Sequence, residues 1–144
     1  MMNALPVSFL FRLEAFIDEP IAISPGPQAD RVIVAPTGGV VEGPAFKGEI
    51  VSGPSSEWAT LRADGTMKAD VRLVLRSHDQ QYVLMTYNGI AKPDGENLTV
   101  IIAPLFETAA EEFTWLNSLQ TIGIGKPSEP VSYTHLTLPT MFEV

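Results

Sequence analysis

Glu57, Asp70 and Arg72 are the side chains in this sequence best suited to chemistry. They flank Asp64-Gly65, a strong short signal for a β-hairpin. A two-residue turn there predicts the register: Ala63 faces Thr66 and, counting outward, Trp58 faces Val71, Ala59 faces Asp70 and Glu57 faces Arg72. Glu57, Lys68, Asp70 and Arg72 are then expected on one face. Trp58, Met67, Ala69, Val71, Leu73 and Leu75 are expected on the other, with Trp58 in the core. Two carboxylates beside a guanidinium suit acid/base catalysis. The arginine keeps one carboxylate ionised and binds an anionic substrate group, while the other, desolvated, has its pKa raised. The same residues also make a solvated cross-strand ion pair on the outside of a sheet, which contributes little. Both readings stay open at this point.

Other residues are ligand-contact candidates. Trp58 and Trp115 serve either as core or as a platform for a ligand. Tyr87 and Asn117 supply hydrogen bonds to a ligand or satisfy turns. His78 lies in Ser77-His78-Asp79, but adjacency in sequence is not a triad, which needs convergence in space. One native histidine does not make a zinc site, and no metal is expected. Gly123-Ile124-Gly125 lacks the third glycine of a dinucleotide motif, and there is no P-loop, so no cofactor is expected. The absence of cysteine excludes disulfides and thiol catalysis.

These residues must be positioned by one domain, since the chain has 144 residues. A hydrophobic content of 45% is enough for a core. The net charge of −8, with no basic stripe, argues against nucleic acid as a partner. Arg12 and Glu14 interrupt the N-terminal apolar stretch, so it does not read as a signal peptide, and no apolar run reaches the ~20 residues of a membrane span. A cytoplasmic protein is the expectation.

The elements follow from periodicity. Val7, Phe9, Phe11 and Leu13 alternate with polar residues, which predicts a half-buried strand. Arg31–Ala35 reads as a second strand and Thr37-Gly38-Gly39 as a turn. Val40–Val51 is a strand broken by a bulge or corner at Gly43-Pro44. Strands follow at Glu57–Arg62, Thr66–Arg76, Tyr82–Tyr87, Leu98–Phe106 and Ser118–Ile124, with turns at Ser77–Gln81, Asn88-Gly89 and Pro93–Gly95. Thr108-Ala109-Ala110-Glu111 fits a capping box for one short helix near 109–117. Many short strands with Gly/Pro turns predict an all-β fold, specifically a small closed antiparallel β-barrel, since closure removes exposed edges.

The last residues read differently. Val131 to Thr140, VSYTHLTLPT, is the translation of GTC-TCT-TAT-ACA-CAT-CTG-ACG-CTG-CCG-ACG, the sequence of a transposase adapter used in sequencing libraries. Pro130 and Met141 have codons compatible with the flanking adapter bases. The expectation is a native domain over 1–129 lacking its C-terminal strand, followed by a non-native tail over 131–144 that is excluded from fold reasoning. His135 leaves with the tail, and His78 is then the single histidine.

Thr37-Gly38-Gly39, Glu42-Gly43-Pro44, Gly48-Glu49, Trp58, Asp64-Gly65, Asp70, Arg72, Leu75, Gly89, Phe106-Glu107-Thr108 and Trp115-Leu116-Asn117 together carry a resemblance. In order and spacing, the chain from Leu5 to Gly125 resembles the domain-of-unknown-function 3237 family. The resemblance implies a small β-barrel, often oligomeric, so a homodimer or higher homo-oligomer is expected, with no established substrate. The chain departs from the family at Pro54-Ser55-Ser56-Glu57, where members carry Gly-Gly-x-Asp, and at Leu73, where they carry tyrosine. Two functional expectations follow. One is a small-molecule-binding barrel, acting as a cofactor-free acid/base enzyme (isomerase, cyclase or lyase) on a compact, partly apolar ligand. The other is a non-catalytic binding or oligomerisation module.

Overall fold

The structure is a computed structural model that describes residues 4–128 and 131–139, with side chains described over 4–126. It is all-β apart from one short helix. The strands are β1 (Val7–Ile17), β2 (Ile21–Ile23), β3 (Asp30–Val34), β4 (Pro36–Glu42), β5 (Lys47–Ile50), β6 (Ser56–Leu61) and β7 (Met67–Ser77). They continue as β8 (Tyr82–Asp94), β9 (Asn97–Ile102), β10 (Leu105–Glu107), β11 (Ile122–Ser128) and β12 (Val131–Pro139). All twelve lie in one sheet of order β10-β8-β9-β11-β12-β1-β4-β5-β7-β6-β3-β2, with a further pairing of β7 to β8. This order has two end strands, so the architecture is barrel-like and does not by itself display the closed barrel expected. Every strand pairing is antiparallel.

The backbone of Val131–Pro139, within the tail expected to be non-native, lies between β1 and β11. The junction at 129–130 and the end of the expected tail at 140–144 lie outside the described residues.

Strand β1 shows how a local irregularity redirects side chains. Its register shifts between Phe9 and Phe11. That bulge buries both Leu10 and Phe11 and turns Val7 and Phe9 outward, so the even alternation predicted holds only from Phe11 onward. Thr37-Gly38-Gly39 is strand rather than turn. The reason is close packing: a Cβ on Gly39 would lie 2.5 Å from the Glu14 carbonyl oxygen and 2.6 Å from Ile50 Cδ1. The Gly43-Pro44 corner is a tight hairpin, closed by Gly43 N–H donating to the Phe46 carbonyl at 2.9 Å. Asn88-Gly89 is likewise strand interior; a Cβ on Gly89 would meet Ile102 Cγ2 at 2.6 Å.

The helix spans Glu111–Ser118 and is 3₁₀ rather than α. The capping box does not form as predicted. Thr108 Oγ1 accepts from the Ala110 N–H at 3.1 Å and donates to the Tyr82 carbonyl at 2.7 Å, and Ala110 ends the turn before the helix. The helix buries Phe113 and Leu116. Phe113 meets Phe46 edge-on at 5.0 Å between ring centroids, and Phe11 contacts Phe46 at 6.0 Å and Phe106 at 5.8 Å. Edge-to-face pairs of this kind add about 0.5–1.5 kcal/mol beyond burial. Along β7, Leu73 and Leu75 join this packed core, while Met67 and Ala69, nearer the other end, face a cavity.

Candidate functional site

The β6–β7 hairpin decides which side chains reach that cavity. Gly65 has φ +87°, Gly65 N–H donates to the Arg62 carbonyl at 3.0 Å, and Arg62 N–H donates to the Thr66 carbonyl at 2.9 Å. The loop therefore has three residues, a turn followed by a left-handed glycine, and not the two predicted. Asp64 stabilises it: Oδ1 accepts from the Thr66 N–H at 3.0 Å and the Thr66 hydroxyl at 2.6 Å, which holds the Asp64 carboxyl below its ordinary range.

One extra loop residue moves the register by one, so Ser56 faces Arg72, Glu57 faces Val71 and Trp58 faces Asp70. Because side chains alternate along a strand, the shift exchanges the two faces of β6. Glu57 joins Met67, Ala69 and Val71 on the inner face. Trp58 joins Lys68, Asp70 and Arg72 outside.

The expected constellation is therefore divided. Asp70 and Arg72 are exposed, on the outer face, where they border a shallow groove with Thr86, Asn88 and Glu107. They do not share the space occupied by Glu57, so Arg72 is not an anion clamp for a ligand beside Glu57. Trp58 is 46% exposed, its indole N–H donating to Ser56 Oγ at 3.1 Å, which corrects the expectation that it is core. Trp115 is 37% exposed on the helix and donates to the Glu112 carbonyl at 3.0 Å. Asn117 satisfies a turn: its Oδ1 accepts from Thr108 N–H at 2.8 Å and its Nδ2 donates to the Thr108 carbonyl at 3.0 Å. Among the predicted site residues, the structure brings Glu57 and Tyr87 to one cavity, and Tyr87 also borders the groove of Asp70 and Arg72.

Both line a cavity of about 150 Å³ whose walls are otherwise mainly apolar, including Val34, Met67, Val100 and Ile102. Register places them on one row: Val34 faces Glu57, Glu57 faces Val71, and Val71 faces Tyr87. Their backbones are then two strand spacings apart, ~10 Å, and both side chains point to the same side of the sheet. Neither the Glu57 carboxyl nor the Tyr87 hydroxyl has a hydrogen-bond or ion-pair partner among the described residues. Burial raises the Glu57 pKa. Burial, and then the negative charge of Glu57, raise that of Tyr87. Desolvation disfavours the charged form of each group, so the cavity favours a protonated carboxyl and a neutral phenol. No cluster of His, Cys, Asp and Glu able to hold a metal occurs among the described residues.

Sequence reasoning missed the floor of the cavity. Ala59 and Ala69 face one another directly, flanked on the same row by Val32 and, beyond Gly89, by Ile102. The side chain of Ile102 lies over Gly89, leaving the alanine pair as the open part of the row. The available signal was the weak alternation of Glu57, Ala59 and Leu61 against Trp58, Thr60 and Arg62.

Fold and site together define a small, β-barrel-like protein with a mainly apolar cavity lined also by a carboxyl, a phenol and Lys126. The chain belongs to the family described as "Protein of unknown function (DUF3237)", whose model matches residues 5–134 and so runs past Gly125, where the resemblance was expected to end. It is 33% identical over 87 residues to the hydroalkoxylation enzyme phnH of Penicillium herquei. That match covers 60% of this chain and spans about half, 52%, of the relative. Among solved structures, it resembles a β-barrel-like protein from Acinetobacter baumannii (TM-score 0.84, 19% identity, 96% of this chain and 99% of that one). It also resembles an enzyme from Penicillium herquei (TM-score 0.69, 22% identity, 94% and 98%). Among the described residues, no helix is long and apolar enough to cross a membrane.

Proposed function

We propose that this protein is a cofactor-free acid/base enzyme of the isomerase, cyclase or lyase kind. It acts on a compact, partly apolar molecule held in the cavity, with Glu57 as proton donor and acceptor and Tyr87 as hydrogen-bond donor. One observation carries the reading: the Glu57 carboxyl lies in an apolar cavity, its pKa raised by burial, with no partner among the described residues. Burying an unpartnered carboxyl is costly. A substrate that hydrogen-bonds to it offsets that cost, and a raised pKa keeps a proton available near neutral pH.

The relative's name supports a specific reaction, addition of an O–H across a C=C bond. The protonated Glu57 gives its proton to one alkene carbon. The hydroxyl oxygen of the same substrate forms a C–O bond at the other carbon. The hydroxyl proton then passes to the Glu57 carboxylate. The product has the composition of the substrate, no oxidant or reductant enters, and Glu57 ends protonated. Tyr87 orients the attacking or departing oxygen.

The test is a panel of unsaturated alcohols and alkenyl phenols incubated with the protein in D₂O. The expected product is a cyclic ether carrying one deuterium on carbon. Glu57→Gln should lower the rate by about 10²–10⁴, the range for loss of a general acid/base. Tyr87→Phe should lower it by a factor on the order of 10², as for loss of one preorganised donor. Turnover that survives Glu57→Gln would overturn the assignment. Saturable binding with no turnover would instead favour a non-catalytic binding module.

The same proposal includes a closed barrel. Its support is that the pairings run from β7 through β8, β9, β11, β12, β1, β4 and β5, and β5 pairs with β7 again. A cytoplasmic homo-oligomer with a small-molecule partner completes it.

A further inference from the structure

The cavity's shape is set by its floor rather than by its polar groups. Ala59 and Ala69 are directly paired across β6 and β7, and their methyls face into the cavity although both residues are buried. Every neighbouring position on the inner face carries a longer side chain or is covered. Val32 stands on one side and Ile102, folded over Gly89, on the other. Glu57, Val71 and Tyr87 form the adjoining row and Leu61 and Met67 the next on the opposite side. Two adjacent alanines on neighbouring strands, ~4.8 Å apart, give a short level floor bounded on four sides. A volume of about 150 Å³ over such a floor matches the size of cavity that takes one benzene-sized ring.

We infer that Ala59 and Ala69 are the specificity-determining residues of this cavity, forming the floor for a single flat ring whose oxygen substituent reaches toward Glu57 and Tyr87. This rests on the cavity being a ligand site, as proposed above. It adds which substrates fit: a flat ring of six atoms seats on the alanine pair, a puckered ring of the same size meets Val32 and Ile102, and a fused pair of six-membered rings overfills the space above the floor. Adding even two methyl groups at position 69 raises the floor into the ring's plane.

The test measures binding by NMR titration with phenol, cyclohexanol and 2-naphthol, and needs no turnover. Phenol should bind the wild-type protein at least tenfold more tightly than cyclohexanol or 2-naphthol. Ala69→Val and Ala59→Val should each weaken phenol binding at least tenfold. Ala69→Gly should admit 2-naphthol. Ile101→Val, on the outer face, should change none of these affinities. Since a valine in a packed layer can disturb folding, each variant is first checked for a native near-ultraviolet circular dichroism spectrum; Ala69→Gly, which removes atoms, serves if the valine variants fail. Equal phenol affinity in wild type and a folded Ala69→Val or Ala59→Val, equal affinity for phenol and cyclohexanol, or no gain of 2-naphthol binding by Ala69→Gly would overturn the inference. The two readings fail separately. Phenol binding blocked at position 69 without any Glu57-dependent reaction leaves the floor standing and removes the acid/base role. A Glu57-dependent reaction indifferent to position 69 does the reverse.

Discussion

Replacing Ser55 by alanine should be among the most destabilising single-atom deletions in this protein. Strand β7 has two neighbours on one edge: β5 pairs with Gly48 through Ile50 facing Ser77 through Leu75, and β6 takes over from Arg72 toward the turn. Between them, the Val74 amide would have no strand partner. Ser55, 1% exposed, fills the gap. Its Oγ accepts from Val74 N–H at 3.0 Å and donates to the Val51 carbonyl at 2.7 Å, while Val51 N–H donates to the Val74 carbonyl at 2.8 Å. Removing the hydroxyl strands a part-buried amide, at about 1–3 kcal/mol, and loses a neutral hydrogen bond, at about 0.5–1.5 kcal/mol. The sum is about 1.5–4.5 kcal/mol. Urea unfolding is the assay. With slopes of roughly 1–3 kcal/mol/M, the midpoint should fall by about 0.5 M or more at unchanged slope. Ser55→Thr, which keeps the oxygen, should recover most of the loss. A midpoint shift under about 0.3 M for Ser55→Ala would refute the view that this hydroxyl carries the hand-over from β5 to β6, and with it the account of how Glu57, two residues on, is positioned.

Three further outcomes follow. Glu57 has a raised pKa, so the folded protein binds its proton more tightly than the unfolded chain. Stability at this site is then greatest below the ordinary value of 4.5 and is lost as pH rises through the higher folded value. Urea midpoints of wild type should therefore fall relative to Glu57→Gln as pH rises from about 4 to 8, and parallel profiles would contradict it. Trp58→Ala should cost less than about 1 kcal/mol by thermal melting, because the indole is 46% exposed; a loss of 3–5 kcal/mol, the range for core aromatics, would return it to the core. Re-sequencing the source DNA across the codon for Pro130, in libraries made without the adapter, should find a different continuation, and finding VSYTHLTLPT in frame would remove the adapter account.

Much of the fold was legible because it rests on alternation over long strands. The inner face of β7, Met67 through Leu75, reads directly from the sequence, since every second residue is apolar over nine positions. The all-β class and the turn at Ser77–Gln81 came from the same kind of local signal, while Pro93 and Asp94 are strand and the turn is Gly95-Glu96. What failed was non-local. Gly39 and Gly89 look like turn residues, and their real cause is a neighbouring strand or side chain too close for a Cβ; Gly38, beside Gly39, has open space where a Cβ would stand. The site failed through one backbone angle. Gly65 in the left-handed region suits a two-residue turn and a three-residue loop equally, and the choice between them exchanged Trp58 and Glu57. Tyr87 was expected as a ligand contact, with Glu57, Asp70 and Arg72 as the acid/base group; the observed register brings Glu57 to the inner face and leaves Asp70 and Arg72 on the outer one. The alanine pair was invisible because small residues carry no chemical signal until their neighbours are known.

The β4–β5 hairpin bears on how this scaffold can change over generations. Gly39, Gly43 and Gly48 each press backbone against backbone, at Glu14, Leu10 and Arg76 respectively. None of these contacts can relax by turning a side chain aside, so a single added carbon at any of them must move a strand. In a saturation-mutagenesis scan this hairpin should appear as a block intolerant even of alanine. The opposite end of the sheet carries alanines with open space above them. New ligand preferences can therefore arise by substitution at that end while the glycine hairpin keeps the strands in place, and one half of the sheet diversifies at the expense of none of the other.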